Sequence, residues 1–178
     1  MKKLLFVFLT FWVTAISYAS TDSDANPKAQ ESAEVIFGSA RFTVLTSQLI
    51  RMEWSDDSVF EDRASLTFIN RDLSVPEFKV KKSGKKITIK TADLTLTYVD
   101  NGVPFDSSNL KVDFLTADKK SVWTPGADDS ANLMGTTRTL DNVDGNLHTA
   151  KDPLEKGLLS RDGWAVVDDT KNYLMDET

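Results

Sequence analysis

The sequence predicts an all-β protein, an antiparallel β-sandwich, and three observations lead to that prediction. Apolar and polar residues alternate in short runs, as at residues 49–54, 94–98 and 110–114. Such alternation buries one face of a strand and leaves the other in solvent. Turn-forming residues separate the runs, and no segment longer than about two turns keeps the i, i+3, i+4 apolar spacing of a helix. Many short strands joined by tight turns are typical of sandwiches and barrels.

Two dipeptides predict tight turns between these strands. Ser83-Gly84 separates the alternating runs around Val80 and Ile87, and Asn101-Gly102 follows the run that contains Tyr98. Both dipeptides are typical of β-hairpins. From residue 122 to residue 169 the alternation gives way to loop-like sequence rich in Gly, Asp, Asn and Thr. Long loops in compact domains are usually functional, so this region is where we expect a site.

The first 19 residues have the layout of a secretory signal peptide. Lys2 and Lys3 precede an apolar run at residues 4–16, and Ser17-Tyr18-Ala19 provides a small-x-small cleavage site. The apolar run would rise only about 20 Å as a helix, less than the ~30 Å hydrocarbon core of a bilayer. The chain has no cysteine that could carry a lipid. We therefore expect a secreted or periplasmic protein without a membrane anchor, cleaved after Ala19.

Composition excludes several classes of partner. The 178-residue chain has a net charge of −6, which becomes −8 once the two lysines of the signal peptide are removed. An acidic protein repels phosphate backbones, so we expect no nucleic acid partner. The absence of cysteine excludes a disulfide framework and thiolate metal sites. We expect no cofactor and no metal.

After the signal peptide, the sequence divides into a leader, one domain and a tail. Residues 20–33 are polar, contain Pro27 and show no periodicity, so they are predicted to form a disordered leader. Residues 34–170 are predicted to form a single β-sandwich domain, and residues 171–178 a tail. The length after cleavage is sufficient for one domain with its own core.

Several strings in this domain resemble a known family. The longest are Asn-Leu-Met-Gly-Thr-Thr-Arg-Thr-Leu-Asp at residues 132–141 and Gly-Leu-Leu-Ser-Arg-Asp-Gly-Trp at residues 157–164; shorter ones lie at residues 42–46, 49–51, 60–63, 70–72 and 165–169. In order and spacing they resemble the N-terminal domain of bacterial glycoside hydrolase family 31 enzymes, the α-glucosidase and α-xylosidase family. The resemblance covers roughly residues 34–170. Ala64 and Met134 depart from it, since proline and a small or polar residue are expected there.

The resemblance implies a galactose-mutarotase-like sandwich that packs against a catalytic (β/α)8 barrel. In that family both catalytic aspartates lie on the barrel and hydrolyse α-glycosides with retention. A barrel of this kind needs about 200 residues, whereas eight residues follow Thr170, and the family's nucleophile string (an aromatic residue, then Asp-Met-Asn-Glu) does not occur. We therefore expect no catalytic residue in this chain, a fragment or truncated product whose residues 171–178 begin the connection to the missing barrel.

Five residues are candidates for substrate binding. Sugar sites combine planar hydrogen-bonding groups for hydroxyls with an aromatic face for the C–H side. In the family, loops of the sandwich reach the mouth of the barrel, and such loops here would supply Arg138, Asp141, Arg161, Asp162 and Trp164. The alternative is structural: Arg161 and Asp162 form an internal ion pair, and Trp164 belongs to the core.

The aspartate pairs, a stretch that resembles a calcium loop and the single histidine are not expected to form functional sites. Neighbouring carboxylates such as Asp128-Asp129 and Asp168-Asp169 point to opposite faces of a strand and cannot easily flank one glycosidic bond, so they are interpreted as solvated turn residues. An EF-hand calcium loop around residues 141–145 is excluded because Leu140 and Lys151 occupy its first and twelfth positions. His148, the only histidine, lacks the partners that a triad, a histidine metal site or the two-histidine mutarotase mechanism requires.

The lysines at positions 79, 81, 82, 85, 86 and 90 are predicted to form a basic hairpin. Edge strands commonly carry lysine to prevent sheet-to-sheet aggregation, and anion binding is the alternative explanation. For the chain as a whole, three functions remain open. They are the sandwich of a family 31 hydrolase that acts on α-glycosides, a stand-alone exported carbohydrate-binding sandwich, and a remnant without function.

Overall fold

The computed structural model describes residues 25–116, 119–135 and 156–175, and it shows two antiparallel sheets. The smaller sheet has the order β1-β2-β3, with β1 at Glu34–Phe37, β2 at Ala40–Val44 and β3 at Ile50–Trp54. The larger sheet has the order β4-β5-β6-β7-β8, and its strands are Lys79–Ser83, Lys86–Lys90, Leu94–Val99, Leu110–Thr116 and Lys119–Trp123. In these ranges the helical structure is a single 3-10 turn at Glu31–Ala33. The predicted all-β antiparallel sandwich is confirmed.

The core lies between the two sheets and follows the predicted alternation. Phe42 from the small sheet and Tyr98 from the large sheet are both fully buried, with ring centroids 5.5 Å apart. Phe105, from the loop after β6, packs against both rings at 5.8 and 5.4 Å. The remaining buried apolar residues of this cluster are Val35, Ala40, Val44, Ile87, Ile89, Leu96 and Leu110. Burying one such side chain contributes about 1.5–3 kcal/mol, so this cluster is the main source of stability.

Loop segments pack against β7 and β8 of the large sheet. Thr116 on β7 donates a hydrogen bond to the carbonyl of Asp162 at 3.4 Å, and Trp164 lies against Trp123 of β8 with ring centroids 6.5 Å apart. Gly163 (φ +73°) sits so close to Thr116 that a Cβ would approach its methyl carbon to 2.4 Å. The segment around residues 160–164 therefore covers the core-facing side of β7 and β8.

The outer face of the small sheet is also covered. Arg41 lies on this face and is almost completely buried. It contacts Asp62 in the segment that follows β3, and its guanidinium carbon lies 5.0 Å from the ring centroid of Phe60. Every residue of β2 is buried as a result. In contrast, the outward-facing residues of the large sheet's edge strand β4 are exposed.

The predicted disordered leader is wrong for residues 25–33. Arg71 donates from its Nη1 to the carbonyl of Pro27 at 2.9 Å and from its backbone N–H to the carbonyl of Asn26 at 2.7 Å. Ala29 and Ala33 are buried. Composition did not indicate that these residues are ordered. Their order depends on the backbone carbonyls of Asn26 and Pro27, which Arg71 binds from a distant part of the chain. The signal peptide and residues 20–24 lie outside the described residues.

One predicted hairpin is correct and the other is wrong. Ser83 pairs with Lys86 across the two-residue turn at Gly84 and Lys85. After β6, however, Tyr98 pairs with Leu110, so Asn101-Gly102 opens a longer loop in place of a tight turn. The side chain of Asn109 holds this loop by donating to Asn101 Oδ1 at 3.0 Å and to the carbonyl of Pro104 at 2.9 Å. The longer loop allows Phe105 to fold back into the core.

Candidate functional site

The candidate site is built by two loop segments, residues 129–135 and 156–165, which run side by side. Asn132 and Ser160 form an isolated antiparallel bridge. Leu133 donates its backbone N–H to the carbonyl of Leu159 at 2.9 Å, and Arg161 donates its own to the carbonyl of Ala131 at 3.1 Å. These segments contain the described portions of the two longest strings on which the predicted family resemblance rests, and the structure brings those portions together.

Asn132 fastens the two segments through its side-chain amide. Its Nδ2 donates to Asp129 Oδ2 at 2.9 Å and to the carbonyl of Gly157 at 3.0 Å. Its Oδ1 accepts the backbone N–H groups of Met134 at 2.8 Å and Gly157 at 2.9 Å. The amide thus makes four hydrogen bonds, the full set expected of a buried asparagine. Asn132 was not among the predicted site residues, although its place at the start of the first long string was the available signal.

Met134, one of the two departures from the family pattern, has a positive φ of 64°. A non-glycine residue in this conformation is uncommon and costs conformational energy. Gly157 faces it so closely that a Cβ would lie 2.6 Å from the carbonyl oxygen of Met134. The close approach therefore requires glycine at position 157. The hydrogen bond from the backbone N–H of Met134 to Asn132 helps to hold Met134 in its positive-φ conformation.

Three of the five predicted site residues lie together near the end of the segment at residues 156–165. Arg161 and Asp162 are exposed on the turn that Gly163 closes by donating to the carbonyl of Ser160 at 3.1 Å. Trp164 is half-buried against Trp123. Within the described ranges Arg161 and Asp162 form no ion pair, so the structural alternative is wrong on that point. Both side chains are available to a ligand or a partner.

Arg138 and Asp141, the other two predicted site residues, lie outside the described residues, as do His148 and the calcium-loop-like residues 141–145. Whether Arg138 and Asp141 adjoin Trp164 stays a prediction.

The interpretation of the two aspartate pairs as solvated turn carboxylates is wrong for Asp129 and Asp169, whereas Asp128 and Asp168 are exposed. Asp129 is buried, and its Oδ2 lies 3.9 Å from Lys156 Nζ. Asp169 accepts a hydrogen bond from the hydroxyl of Ser65 at 2.6 Å, which ties the C-terminal segment to the loop after β3. Hydrogen bonds from the side chain and backbone of Thr170 lower the pKa of Asp168. The carboxylates of each pair therefore differ in surroundings, and Asp129 and Asp169 serve to hold loops.

The surface beside the tryptophan pair is apolar and open. Leu158 and Leu159 are 73% and 70% exposed, and Leu133 and Met134 on the neighbouring segment are also exposed. A shallow groove of about 240 Å³ is lined by Leu158, Leu159, Ser160, Gly163, Trp164 and Ala165. Exposed apolar patches are typical of interaction surfaces and ligand-binding grooves.

A second polar cluster, on the outer face of the small sheet, was not predicted as a unit. Arg41 binds Glu53 through two nitrogens at 2.8 and 3.1 Å and Asp62 at 2.7 Å. Arg51 donates to the carbonyl of Glu61 at 2.6 Å. The family-like string at residues 60–63 was the available signal. Since the acidic partners and the carbonyl already satisfy these arginines, the cluster serves to hold the segment after β3.

The described residues contain no group of three His, Asp or Glu side chains able to hold a metal ion. In the same ranges no helix is long and apolar enough to cross a membrane. The site is therefore described by its two tryptophans, its exposed leucines and the polar turn at Arg161 and Asp162. Comparison with protein-family models and with curated proteins finds no match to this chain.

Proposed function

We propose that this chain is the N-terminal β-sandwich of an exported glycoside hydrolase family 31 enzyme, with the surface around Trp123 and Trp164 as its docking face for a catalytic barrel. The proposal rests on the family-like strings at residues 132–141 and 157–164. The observation that carries it is the pairing of the described portions of these strings beside an exposed apolar patch. In this proposal the sandwich contributes to carbohydrate binding and the barrel performs hydrolysis of the α-glycoside.

The apolar patch supports docking on a protein surface. Domains of one chain typically bury about 600–1,500 Å² against each other. Leu158 and Leu159 are exposed on the segment at residues 156–165 and are not buried in the sandwich itself. Arg161 and Asp162 border this patch and offer polar contacts to a barrel loop or to a sugar. An apolar centre with a polar rim is the usual composition of a protein interface.

The first test compares dye binding by the unmodified chain, a double variant of the apolar patch and a single control variant. We expect the purified chain to bind a hydrophobic dye, and we expect Leu158→Ser combined with Leu159→Ser to remove most of that binding. Leu115→Ser is the matched control, because Leu115 is 66% exposed but lies on the outer face of β7. Equal loss of dye binding in the control, or no binding by the unmodified chain, would contradict the docking face.

The second test addresses the family. DNA downstream of the Thr178 codon that encodes a (β/α)8 barrel with an aromatic-Asp-Met-Asn-Glu string supports the proposal, and an unrelated gene contradicts it. We also expect the purified chain to hydrolyse no aryl α-glucoside or α-xyloside. A retaining glycosidase needs two carboxyls about 5–5.5 Å apart across the bond, and in this proposal both belong to the barrel. Turnover that survives stringent purification would place the chemistry on this chain.

A stand-alone carbohydrate-binding sandwich is the second candidate, and the Trp123–Trp164 pair is the observation that favours it. In that case α-linked oligosaccharides should change the tryptophan fluorescence, and Trp164→Ala should abolish the change. A change in fluorescence at millimolar oligosaccharide in a monomeric chain that binds no dye would favour this function over docking.

A further inference from the structure

The outer face of the large sheet carries a concentration of positive charge that the net charge of the chain does not suggest. The strand pairing places alternate residues of β4 to β8 on this face. Its lysines are Lys79, Lys81, Lys86, Lys90, Lys111 and Lys120. The acidic residue among the strand positions of this face is Asp113, which pairs with Lys111 at 3.0 Å.

Protection of the sheet edge explains only part of this pattern. Lys79 and Lys81 lie on the edge strand β4, where charge discourages intermolecular pairing. Lys86 and Lys90 lie on β5 and Lys111 on β7, which are both internal strands. Internal strands have no free edge, so protection of the edge does not account for the lysines on β5 and β7.

Hydroxyl groups lie between the lysines. Lys81 pairs with Thr88, Thr88 with Thr97, and Thr97 with Lys111, so one row across four strands reads Lys-Thr-Thr-Lys. Neighbouring strands are about 4.8 Å apart, which makes this row roughly 14 Å long. A flat row of hydroxyls between ammonium groups matches a linear ligand that carries both hydroxyls and negative charges.

A shallow groove on the same face provides a subsite. Its volume is about 220 Å³, and its lining includes Lys86, Thr97, Val99, Ser107, Ser108 and Lys111. Lys86 and Lys111 stand two strands apart, on either side of Thr97 and Val99. The volume is below the 300–1,000 Å³ of sites for drug-sized ligands. It therefore suits one monosaccharide unit of a longer chain.

We propose that this face, the lysine face, binds a linear anionic polysaccharide, with an acidic sugar unit in the groove between Lys86 and Lys111. The charge complementarity is local: at physiological ionic strength the Debye length is about 8 Å, so distant acidic residues are screened. The strand positions of the face include no aromatic side chain on which nucleic acid bases would stack. They likewise include no Trp or Phe to anchor a membrane interface. This inference goes beyond the proposed function and holds whether or not a barrel is present.

Calorimetric titration of the purified chain with polygalacturonate tests the proposal. We expect binding at about 10 mM salt that weakens roughly tenfold at about 150 mM salt, because the Debye length falls from about 30 to about 8 Å. Neutral dextran should not bind. Combining Lys86→Gln with Lys111→Gln should weaken polygalacturonate binding by roughly fivefold or more, since each exposed ion pair contributes modestly.

The matched control combines Lys28→Gln with Lys171→Gln, which changes the net charge equally but lies off the lysine face. Unchanged affinity in this control supports the proposal. Equal weakening in both double variants would show that only net charge matters and would overturn it. Absence of binding at low salt, or tighter binding to single-stranded DNA or phosphatidylglycerol vesicles of equal charge, would overturn it as well. Circular dichroism of each variant confirms that the sandwich is folded.

Discussion

Single side chains far apart in sequence hold the loops of this protein onto its sheets. Arg41 secures the segment after β3, Arg71 secures residues 26–27, and Asn132 secures the segment that contains Gly157. Buried charged groups are stable only when they are paired and hydrogen-bonded. Removing one partner therefore costs more than the pair itself contributes, because the other group is left without compensation.

Arg41→Met should destabilise the fold by about 3 kcal/mol, since it leaves Glu34 without its cation and Glu53 with Arg51 alone. The measurement is chemical denaturation followed by circular dichroism. Lys111→Gln is the control, because Lys111 and Asp113 form an exposed ion pair that contributes at most about 1 kcal/mol. Similar destabilisation by both substitutions would show that the Arg41 cluster contributes no more than a surface pair.

Glu61 should add a pH dependence to stability. Hydrogen bonds from the side chain and backbone of Arg63 lower the pKa of Glu61 from 4.5 to about 2. A carboxylate with a depressed pKa stabilises the fold fully above its unfolded value, and this contribution is lost as the pH falls from 4.5 towards 2. The stability difference between the protein and its Glu61→Gln variant should therefore shrink across that interval. The effect is small because Glu61 is partly exposed to solvent.

Titration of the Glu61 carboxyl by NMR measures its lowered pKa directly. Its midpoint should lie near pH 2 in the unmodified protein and rise in Arg63→Gln. A midpoint above about 4 in the unmodified protein would mean that the contacts with Arg63 do not persist in solution.

At the scale of elements, the alternation of apolar residues was sufficient to predict most strands, and local turn chemistry was less reliable. The runs around residues 50–54, 86–90 and 94–98 are strands of the structure, because one-sided burial has a period of two in any sequence context. Asn101-Gly102 misled because the burial of Phe105 in the core and the side chain of Asn109 favour a longer loop. The residues that make these contacts show no periodic spacing in the sequence, so the alternation of apolar residues does not predict them.

Two hairpins offer a matched test of close packing at a turn. Gly38 (φ +60°) and Gly84 (φ +56°) both begin two-residue turns, between β1 and β2 and between β4 and β5. Gly84→Ala should cost about 1 kcal/mol, the price of a left-handed conformation, since nothing lies within 4 Å of its Cβ. Gly38→Ala should cost at least about 1 kcal/mol more, because its Cβ would meet the Asp100 carboxylate at 2.1 Å.

A double-mutant cycle isolates that contact. Asp100→Ala should recover most of the extra cost in the Gly38→Ala background and none of the cost in the Gly84→Ala background. Thermal denaturation of the five variants provides the measurement. Equal destabilisation by the two glycine substitutions would show that Asp100 moves aside freely.

At the scale of the whole molecule, the sandwich has a regular core and an irregular flank. The fold class could be predicted because it depends on periodic burial. The site was predictable only in part: composition located Trp164 in a loop-rich region, but its contact with Trp123 arises from tertiary packing. The hydrogen-bonding role of Asn132 and the extension of the lysine face beyond the predicted basic hairpin could not be predicted, since one depends on a close approach of distant segments and the other on strand register.

Hydrogen exchange should separate the two parts. Amides in β2, β5 and β6 lie in continuous ladders, whereas residues 124–135 and 156–170 are joined through isolated bridges and single hydrogen bonds. We therefore expect the loop segments to exchange faster than those strands. Mass spectrometry of a monomeric sample resolves the two groups. Uniformly slow exchange would indicate that the loops are closed by their own contacts, which favours the stand-alone binding module over the docking face.

The fastening at Asn132 has a consequence for how the flank loses its order. Because the amide of Asn132 bonds both the N–H and the carbonyl of Gly157, it joins residues 129–135 to residues 156–165 through one side chain. The backbone hydrogen bonds from Leu133 to Leu159 and from Arg161 to Ala131 lie beside it. Loss of this amide should therefore release both segments together, while the ladders of the two sheets stay intact. The flank thus opens as one cooperative unit that is separate from the core.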